Sequence, residues 1–503
     1  MQFYKKPIFL PLTFYLFVVI LLATRILLIL NLNTDYIDSD MPFMWAGVKD
    51  YSEGLFYEPR FYGQDYNTFM ECLFAVPLYW LGVPVYYALP IIAHIVAVFP
   101  FLFTAFYLFY KNRKKNAILV IAIFLCLAPG YDVMTSQPRG ISGIFLCGFY
   151  ILSFLNPTHM RFLALNTLLT VLAYFVTPNA VVVSVPLMTF LFFHNYKNKK
   201  YYIITVCCLL SSILFYLVFD KFYKDHPDYI IYGLNNSWAP GNFLYAIRHL
   251  DKSFGHVSFF IEEICATVLV AFTAIGFALF KKNKIAFLSF LSFLGVILLS
   301  FFASKVQEGV VWPFYSFSRM YIAIPFAIAL FTVFFQVKSN FFFTSIIVIT
   351  IAYSVFKFYN FKSSIRYHTE ERRWNGVHLI PLQTVLNGCI AFKDICHKND
   401  VNFFLISSTF WLSTYLNYGG EVIYEDFPKS QETMAERRYW VRQANANKIF
   451  KRFIFLSVNY DFDKSCEGNS AFRIKRLDDY GLMLIEDNTL SNKEFVSLTL
   501  NRE

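Results

Sequence analysis

Charged residues are scarce in this sequence. Asp, Glu, Lys and Arg make up only 16% of its 503 residues, whereas 57% are hydrophobic and 61 are Phe. Soluble globular domains carry about 25% charged residues. The composition therefore excludes a soluble protein and predicts an integral membrane protein.

The sequence also lacks the residue spacings of a disulfide framework and of a zinc site. Most of the nine cysteines fall in or beside apolar runs. Cys389 and Cys396 share one predicted helix, on which their Cα atoms would be ~10.5 Å apart, whereas a disulfide needs less than about 7 Å. No His-x3-His pair occurs, and the C-terminal region has no nucleotide-binding loop or nucleophile elbow. Neither a disulfide scaffold nor a zinc enzyme is expected.

Long apolar runs are what the sequence has in abundance. A membrane-spanning helix needs roughly 20 apolar residues, and the runs predict about eleven spans. Lys5 and Lys6 place the N-terminus in the cytoplasm, because cytoplasmic segments are rich in Lys and Arg. No cleavage site ends the first run, so we expect an anchor and not a signal peptide. The predicted spans are 8–32, 84–110, 117–129, 141–155, 162–176, 180–193, 201–219, 259–280, 285–303, 321–337 and 341–359.

The composition changes after the last predicted span. Apolar runs shorten and charges return, which predicts a transmembrane domain over 1–360 and a separate α/β domain over 361–503. An odd number of spans places this second domain outside the cytoplasm. Its pattern predicts one helix over 378–396 and strands over 401–407, 421–427, 451–458, 471–477 and 480–487.

The predicted first outer loop, 33–83, concentrates acids in a chain of net charge +10. One explanation is topological, because exported loops are poor in Lys and Arg. The other is chemical: the Asp-x-Asp pair of Asp38 and Asp40 is suited to act as a general base or to hold a divalent cation. The only bases in this loop are Lys49 and Arg60, and its acids are Asp35, Asp38, Asp40, Asp50, Glu53, Glu58, Asp65 and Glu71.

The loop sequence DSDMPFMWAGVKDYSEG, followed by FYGQDYNTFMECLFAVPLYWLGVP, resembles the first outer loop of bacterial GT-C glycosyltransferases. These polytopic enzymes use polyprenyl-phosphate-linked sugars and include the protein mannosyltransferases and the aminoarabinose transferase-like membrane enzymes. In the family an acidic residue opens the loop, a Gly closes the next helix, and a Tyr-Gly-Gln-x-Tyr segment leads to a Glu. Met41 and Thr68 stand where the family usually has Glu and Gly. The matching residues here are Asp40, Gly54, Tyr62, Gly63, Gln64, Tyr66 and Glu71.

The resemblance implies a GT-C-like fold and an inverting hexosyl or pentosyl transfer to a lipid, glycan or protein. The reaction would take place on the outer side of a bacterial plasma membrane. The acceptor hydroxyl needs a carboxylate to take its proton, and Asp40 is the leading candidate, with Asp38 as the alternative. Glu71 and Asp65 would orient the acceptor or help to hold a divalent cation. No other cofactor and no nucleic acid partner is expected.

Three arginines are candidates for the donor phosphate, since Arg pairs with phosphate oxygens in a planar fork. Arg319 lies in SRMYIAIP, which resembles the Ser-Arg-Tyr segment that opens a late span in the family. Arg139 lies in the loop GYDVMTSQPRG. Arg25 lies inside the first apolar run, where it either snorkels to the surface or meets an anionic group in a cavity.

Two other classes of function compete with an enzyme. A transporter or flippase for a lipid-linked glycan would use the acidic loop as a gate. Such proteins place ionisable groups within their spans, and the predicted spans here hold few besides Arg25, Glu262 and Glu263. A non-enzymatic scaffold would explain the topology but not the pattern from Asp40 to Glu71.

Overall fold

The computed structural model describes residues 9–38, 40–137, 142–233, 237–306, 320–335, 337, 339–371, 379–407, 414–433, 436–457, 462, 469–478 and 481–500. The chain divides into two compact units, which are described separately. The helical unit comprises Met1–Thr34, Pro90–Phe219 and Asn235–His378. The mixed unit comprises Asp35–Leu89, Asp220–Leu234 and Leu379–Glu503.

The described residues are mostly helical. The helices are α1 (Phe9–Leu28), α2 (Met41–Ser52), α3 (Met70–Trp80), α4 (Val85–Tyr110), α5 (Lys114–Leu125), α6 (Pro129–Ser136), α7 (Ser142–Cys147), α8 (Ile151–Leu155), α9 (Met160–Val176), α10 (Val181–Asn195), α11 (Lys199–Asp225), α12 (Pro240–Arg248), α13 (Leu250–Phe254), α14 (Cys265–Lys282), α15 (Lys284–Ser300), α16 (Ile324–Phe331), α17 (Asn340–Tyr359), α18 (Phe361–Arg366), α19 (Leu382–Lys398), α20 (Gly420–Ile423), α21 (Tyr439–Asn445) and α22 (Asn492–Leu500).

Within the described residues, six helical segments are long and apolar enough to cross a membrane. They are Phe9–Asn33, Val85–Tyr110, Pro178–Asn195, Lys199–Asp225, Cys265–Lys282 and Asn340–Tyr359. The predicted spans 117–129, 141–155, 162–176, 285–303 and 321–337 coincide with the shorter helices α5, α7 with α8, α9, α15 and α16. The structure therefore confirms a mostly helical architecture with several apolar helices, whereas membrane insertion and the count of eleven spans stay predictions.

A proline break and a hydrogen bond between helices are two features of the helical unit. Helix α9 ends at Val176, and Pro178 starts a short 3-10 turn before α10. Proline cannot continue the hydrogen-bond ladder of a helix, which explains the break between α9 and α10. Helix α10 packs along α15, where the Ser289 hydroxyl donates to the Pro186 carbonyl at 2.7 Å. That bond joins two helices of this unit.

The mixed unit contains a five-stranded sheet in the order β4, β3, β5, β7, β6. Strand β3 runs parallel to β4 and β5, whereas β7 is antiparallel to β5 and β6. Phenylalanines dominate the core on one face of the sheet, which explains why the sequence predicted buried strands here. The strands are β3 (Phe403–Ser407), β4 (Lys429–Glu432), β5 (Phe453–Ser457), β6 (Arg473–Arg476) and β7 (Leu482–Glu486).

The predicted strand over 421–427 is wrong, because part of this segment forms the short helix α20 and the edge strand β4 follows it. The chain turns so tightly here that a Cβ on Gly420 would lie 2.2 Å from the Phe427 ring. Strand β4 has the polar sequence KSQE, and three of its four residues are buried. A buried ion pair between Arg438 and Glu436 lies beside it, and the Glu436 carboxylate accepts from the Glu432 backbone. The position of β4 depends on its backbone pairing with β3 and on this polar network. Apolar periodicity in the sequence reveals neither of them.

The acidic loop belongs to the mixed unit. Strand β1 (Tyr36–Ile37) pairs antiparallel with β2 (Ile380–Pro381), and the Leu382 backbone donates to the Asp35 carbonyl at 2.8 Å. The sequence analysis separated this loop from the C-terminal residues at position 360. In the structure the loop folds together with residues that follow the last predicted span.

Candidate functional site

The Asp38 carboxylate holds the backbone at the start of α2. Its side chain is fully buried, and Oδ1 accepts from the backbone N–H groups of Asp40 at 2.8 Å and Met41 at 3.2 Å. These bonds satisfy donors that the first turn of a helix leaves without partners. Asp40 itself is half-buried and directly precedes α2. Of the two predicted bases, Asp38 therefore positions the segment that carries Asp40.

The Tyr62-Gly63-Gln64 motif forms a tight turn in the mixed unit. The buried Tyr62 hydroxyl donates to Asp50 Oδ2 at 2.6 Å. Gly63 has a φ of +74° and donates to Glu58 Oε1 at 3.0 Å. Its carbonyl accepts from the backbone of Tyr232 at 2.9 Å, and Gln64 forms an isolated bridge with the same residue. The motif thus links the acidic loop to the segment 220–234.

Gly63→Ala is expected to destabilise the mixed unit by about 2–4 kcal/mol. The positive φ disfavours any side chain, and a Cβ would lie 2.9 Å from Arg437 Cγ. The guanidinium of Arg437 stacks on Phe43 at 4.0 Å, so it cannot move away freely. Gly54→Ala is the matched control, because Gly54 has a φ of +76° with open space around it. Thermal unfolding of both variants separates the clash from the backbone strain, and equal losses would contradict the role assigned to Arg437.

Two carboxylates of the acidic loop have strongly shifted pKa values. Burial raises the pKa of Glu58 to about 9, although hydrogen bonds from Gly63 and Tyr223 act in the opposite direction. Burial likewise raises the pKa of Asp50 to about 6, against the hydrogen bond from Tyr62. The sequence analysis counted both residues as loop acids and assigned them no role. Single-sequence patterns do not show whether a loop acid is buried.

The shifted pKa of Glu58 predicts that the stability of the mixed unit falls with rising pH. The carboxyl is protonated in the folded state up to about pH 9 but ionises near pH 4.5 when unfolded. Its contribution to the free energy of unfolding is complete below pH 4.5. This contribution falls by up to ~1.4 kcal/mol per pH unit as the pH rises from 4.5 to 9. Melting temperatures from pH 5 to 9 should fall less steeply for Glu58→Gln. The exposed Glu53→Gln serves as control, and identical slopes in all three proteins would contradict the prediction.

The other predicted loop residues also lie in the mixed unit. Glu71 is fully buried in the first turn of α3, which packs closely on α2. A Cβ on Gly47 of α2 would touch Cys72 Sγ at 3.4 Å, so a glycine permits this close packing. Asp65 and Tyr66 are half-buried in the turn before α3.

A buried ion cluster, which we call the Asp132 cluster, lies in the helical unit. Arg25 is only 3% exposed, and its guanidinium donates to Asp132 Oδ1 at 3.0 Å and to Thr135 Oγ1 at 2.9 Å. The ammonium of Lys357 binds the second oxygen of Asp132. Arg25 therefore does not snorkel to a surface, and its anionic partner belongs to the chain itself. Its predicted contact with a donor phosphate stays a prediction.

Glu262 and His368 extend this polar region. Glu262 Oε1 accepts from the Gly130 backbone at 2.6 Å and is 3.0 Å from His368 Nε2. The sequence analysis overlooked Lys357, which lies inside the last apolar run. An isolated Lys near the end of such a run is the signal that would have revealed it.

An apolar cavity of about 610 Å³ lies in the helical unit. Helices α5, α14 and α17 supply most of its wall, together with the backbone turn at Phe259 and Phe260. The Tyr353 hydroxyl donates to the Phe260 carbonyl at 2.8 Å, and Lys357 Nζ donates to Leu127 at 3.1 Å. The cavity thus ends close to the backbone that the Asp132 cluster binds.

Two other arginines were predicted to bind the donor phosphate. Arg139 and Arg319 lie outside the described residues, so their predicted roles remain predictions. In the part of the chain that the structure describes, no group of three or more His, Cys, Asp and Glu residues is arranged to hold a metal ion. The divalent cation considered from the sequence also remains a prediction.

Comparison of the chain with protein-family models, with curated proteins and with solved structures finds no match.

Proposed function

We propose that the protein is a membrane glycosyltransferase that moves a sugar from a polyprenyl-phosphate donor to an acceptor hydroxyl on the extracytoplasmic face. The acceptor is a lipid, a glycan or a protein. The burial of acids in the first loop carries this proposal: Asp38, Glu58 and Glu71 are at most 3% exposed. A loop that is acidic only because it is exported would keep its carboxylates in water, since burying them costs free energy.

The proposed chemistry is a direct displacement at the anomeric carbon. Asp40 takes the proton of the acceptor hydroxyl while the acceptor oxygen bonds to the sugar. The bond from the sugar to the phosphate oxygen breaks, and polyprenyl phosphate leaves with the electron pair. Asp38 holds the backbone of Asp40 in place, and Glu71 orients the acceptor. Inversion at the anomeric carbon is the expected outcome.

The helical unit supplies two features that suit a lipid-linked donor. The apolar cavity has the chemistry to accept part of a polyprenyl chain, because its wall is almost entirely hydrocarbon. The Asp132 cluster places two cations on one carboxylate, and such an excess of positive charge favours a phosphate. Arg319 and Arg139 are the other proposed ligands of the phosphate.

A comparison of cells with and without the protein tests this function. Mass spectrometry of envelope lipids, glycans and proteins should show a hexose or pentose that disappears when the protein is absent. Cells that produce Asp40→Asn instead are the matched control and should lose the same sugar. An unchanged set of envelope sugars would contradict the proposal.

The runner-up function is a transporter or flippase for a lipid-linked glycan. Arg25, Asp132 and Lys357 favour it, because they place buried ionisable groups in the helical unit. Purified protein in detergent micelles separates the two functions, since micelles have no two sides. A transferase still moves a sugar from a synthetic polyprenyl-phosphate hexose or pentose to an envelope acceptor, whereas a transporter changes no covalent bond.

The charge asymmetry of the loops predicts that residues 35–71 and 361–503 both lie outside the cytoplasm. A compartment-sensitive reporter fused after residue 503 should therefore be active only in its extracytoplasmic form. Impermeant thiol reagents should label a cysteine introduced at Glu53, which is exposed. A cytoplasmic C-terminus would show that the count of spans is off by one.

A further inference from the structure

A second polar site lies in the helical unit, where α1 ends. The last turn of this segment, Ile29–Asn33, is π-helical, and single π turns occur often at functional sites. Asn33 is 1% exposed, and its amide nitrogen donates to the Ser136 carbonyl at 3.2 Å. Its amide oxygen lies 2.8 Å from Nε2 of the buried His94.

These contacts assign the proton on His94. Asn33 uses its nitrogen to donate to a carbonyl, so the oxygen that faces His94 can only accept. His94 Nε2 therefore carries the proton, and Nδ1 carries a lone pair. Nδ1 is buried and has no hydrogen-bond partner in the described part of the chain. The ring presents an unused acceptor inside the helical unit.

Gln137 adds both kinds of unused group to this part of the helical unit. It directly follows Ser136, whose carbonyl Asn33 binds, and its side chain is 1% exposed. Among the residues that the structure describes, neither its amide nitrogen nor its amide oxygen has a hydrogen-bond partner. A buried polar group without a partner costs about 1–3 kcal/mol, so native proteins rarely keep several together without a use.

We propose that His94 and Gln137 bind a neutral, hydroxyl-bearing ligand between α1, α4 and α6. A hydroxyl both donates and accepts, so it can satisfy His94 Nδ1 and either end of the Gln137 amide. A charged ligand does not fit here, because the Gln137 amide is uncharged and a buried charge without a counterion would be costly. That the hydroxyls belong to the sugar of the donor or acceptor rests on the proposed function.

The first test is the effect on stability of removing the polar groups of Gln137. Gln137→Met keeps the side-chain volume and removes two unsatisfied atoms, so its melting temperature in a sugar-free detergent should equal or exceed that of the parent. Asn116→Leu is the matched control, because the Asn116 amide donates to Thr332 at 2.8 Å and to Phe335 at 2.9 Å. The control should lose at least ~2 °C. An equal loss in Gln137→Met would overturn the proposal.

The second test is binding of D-mannose, D-galactose or L-arabinose, one at a time, at ~0.1 M to the purified protein. At least one sugar should raise the melting temperature of the parent more than that of Gln137→Met. A general effect of sugars on protein hydration would raise both alike, and equal shifts for all three sugars would overturn the proposal.

The two proposals can fail separately. If the sugar-dependent shift is present but no sugar is transferred, the binding site stands and the proposed function fails. If the shift is absent and Gln137→Met transfers sugar at the parental rate, the inference fails and the proposed function stands. Asp40→Asn should keep the shift while losing transfer, because Asp40 lies in the other unit.

Discussion

Asp40→Asn is expected to lower the rate of sugar transfer by roughly 10²–10⁴-fold, the usual contribution of a positioned general base. Asn has nearly the same volume as Asp but cannot take a proton from the acceptor hydroxyl. The protein should still fold, because Asn keeps nearly the volume of Asp and the Asp38 side chain can still accept from the backbone of residues 40 and 41. Initial rates with a saturating polyprenyl-phosphate donor, together with the melting temperature, measure both effects.

Asp38→Asn is the matched control for this prediction. Its amide oxygen can still accept from the Asp40 backbone, so the start of α2 should persist with a loss of about 0.5–2 kcal/mol at most. Transfer should fall less than in Asp40→Asn. If Asp40→Asn retained full activity while Asp38→Asn lost it, the base would be Asp38 and the proposed division of roles would be wrong.

The loop shows what local patterns can and cannot reveal. The resemblance drew attention to Tyr62 and Gly63, and the structure places them in a turn that only a glycine fits without strain. The same pattern did not single out Asp50 or Glu58, whose pKa values are raised by burial. Their burial depends on residues far along the chain, such as Tyr223, which donates to Glu58 at 3.2 Å. A single sequence carries no record of such contacts.

The helices and the sheet show the same limit. The pattern of apolar runs predicted most of the helices, because these depend on neighbouring residues. It missed β4, whose sequence KSQE is polar and whose place is set by pairing with β3. It also missed the partner of Arg25, since 107 residues separate Arg25 from Asp132 and 225 separate Asp132 from Lys357. The sequence shows a charged Arg25 within an apolar run, but it does not show which residue neutralises that charge.

Asp132→Asn is expected to destabilise the helical unit by ~3–5 kcal/mol, because it leaves the buried charge of Arg25 and the half-buried charge of Lys357 without this anion. Arg25→Met should cost less, since Asp132 keeps its ion pair with Lys357. Asp132→Asn should be the more damaging change, because two cations share this one carboxylate.

Melting temperatures of the purified variants in lipid nanodiscs measure this order, and Asp220→Asn is the control. Asp220 forms an exposed ion pair with Lys224 at 2.6 Å, and exposed pairs contribute only about 0–1 kcal/mol.

In the double variant Arg25→Met/Asp132→Asn one cation remains without an anion in place of two, so the combined loss should be smaller than the sum of the single losses. Strict additivity would show that Arg25 and Asp132 do not interact, and an Asp132→Asn loss no larger than that of Asp220→Asn would show that the cluster does not stabilise the unit.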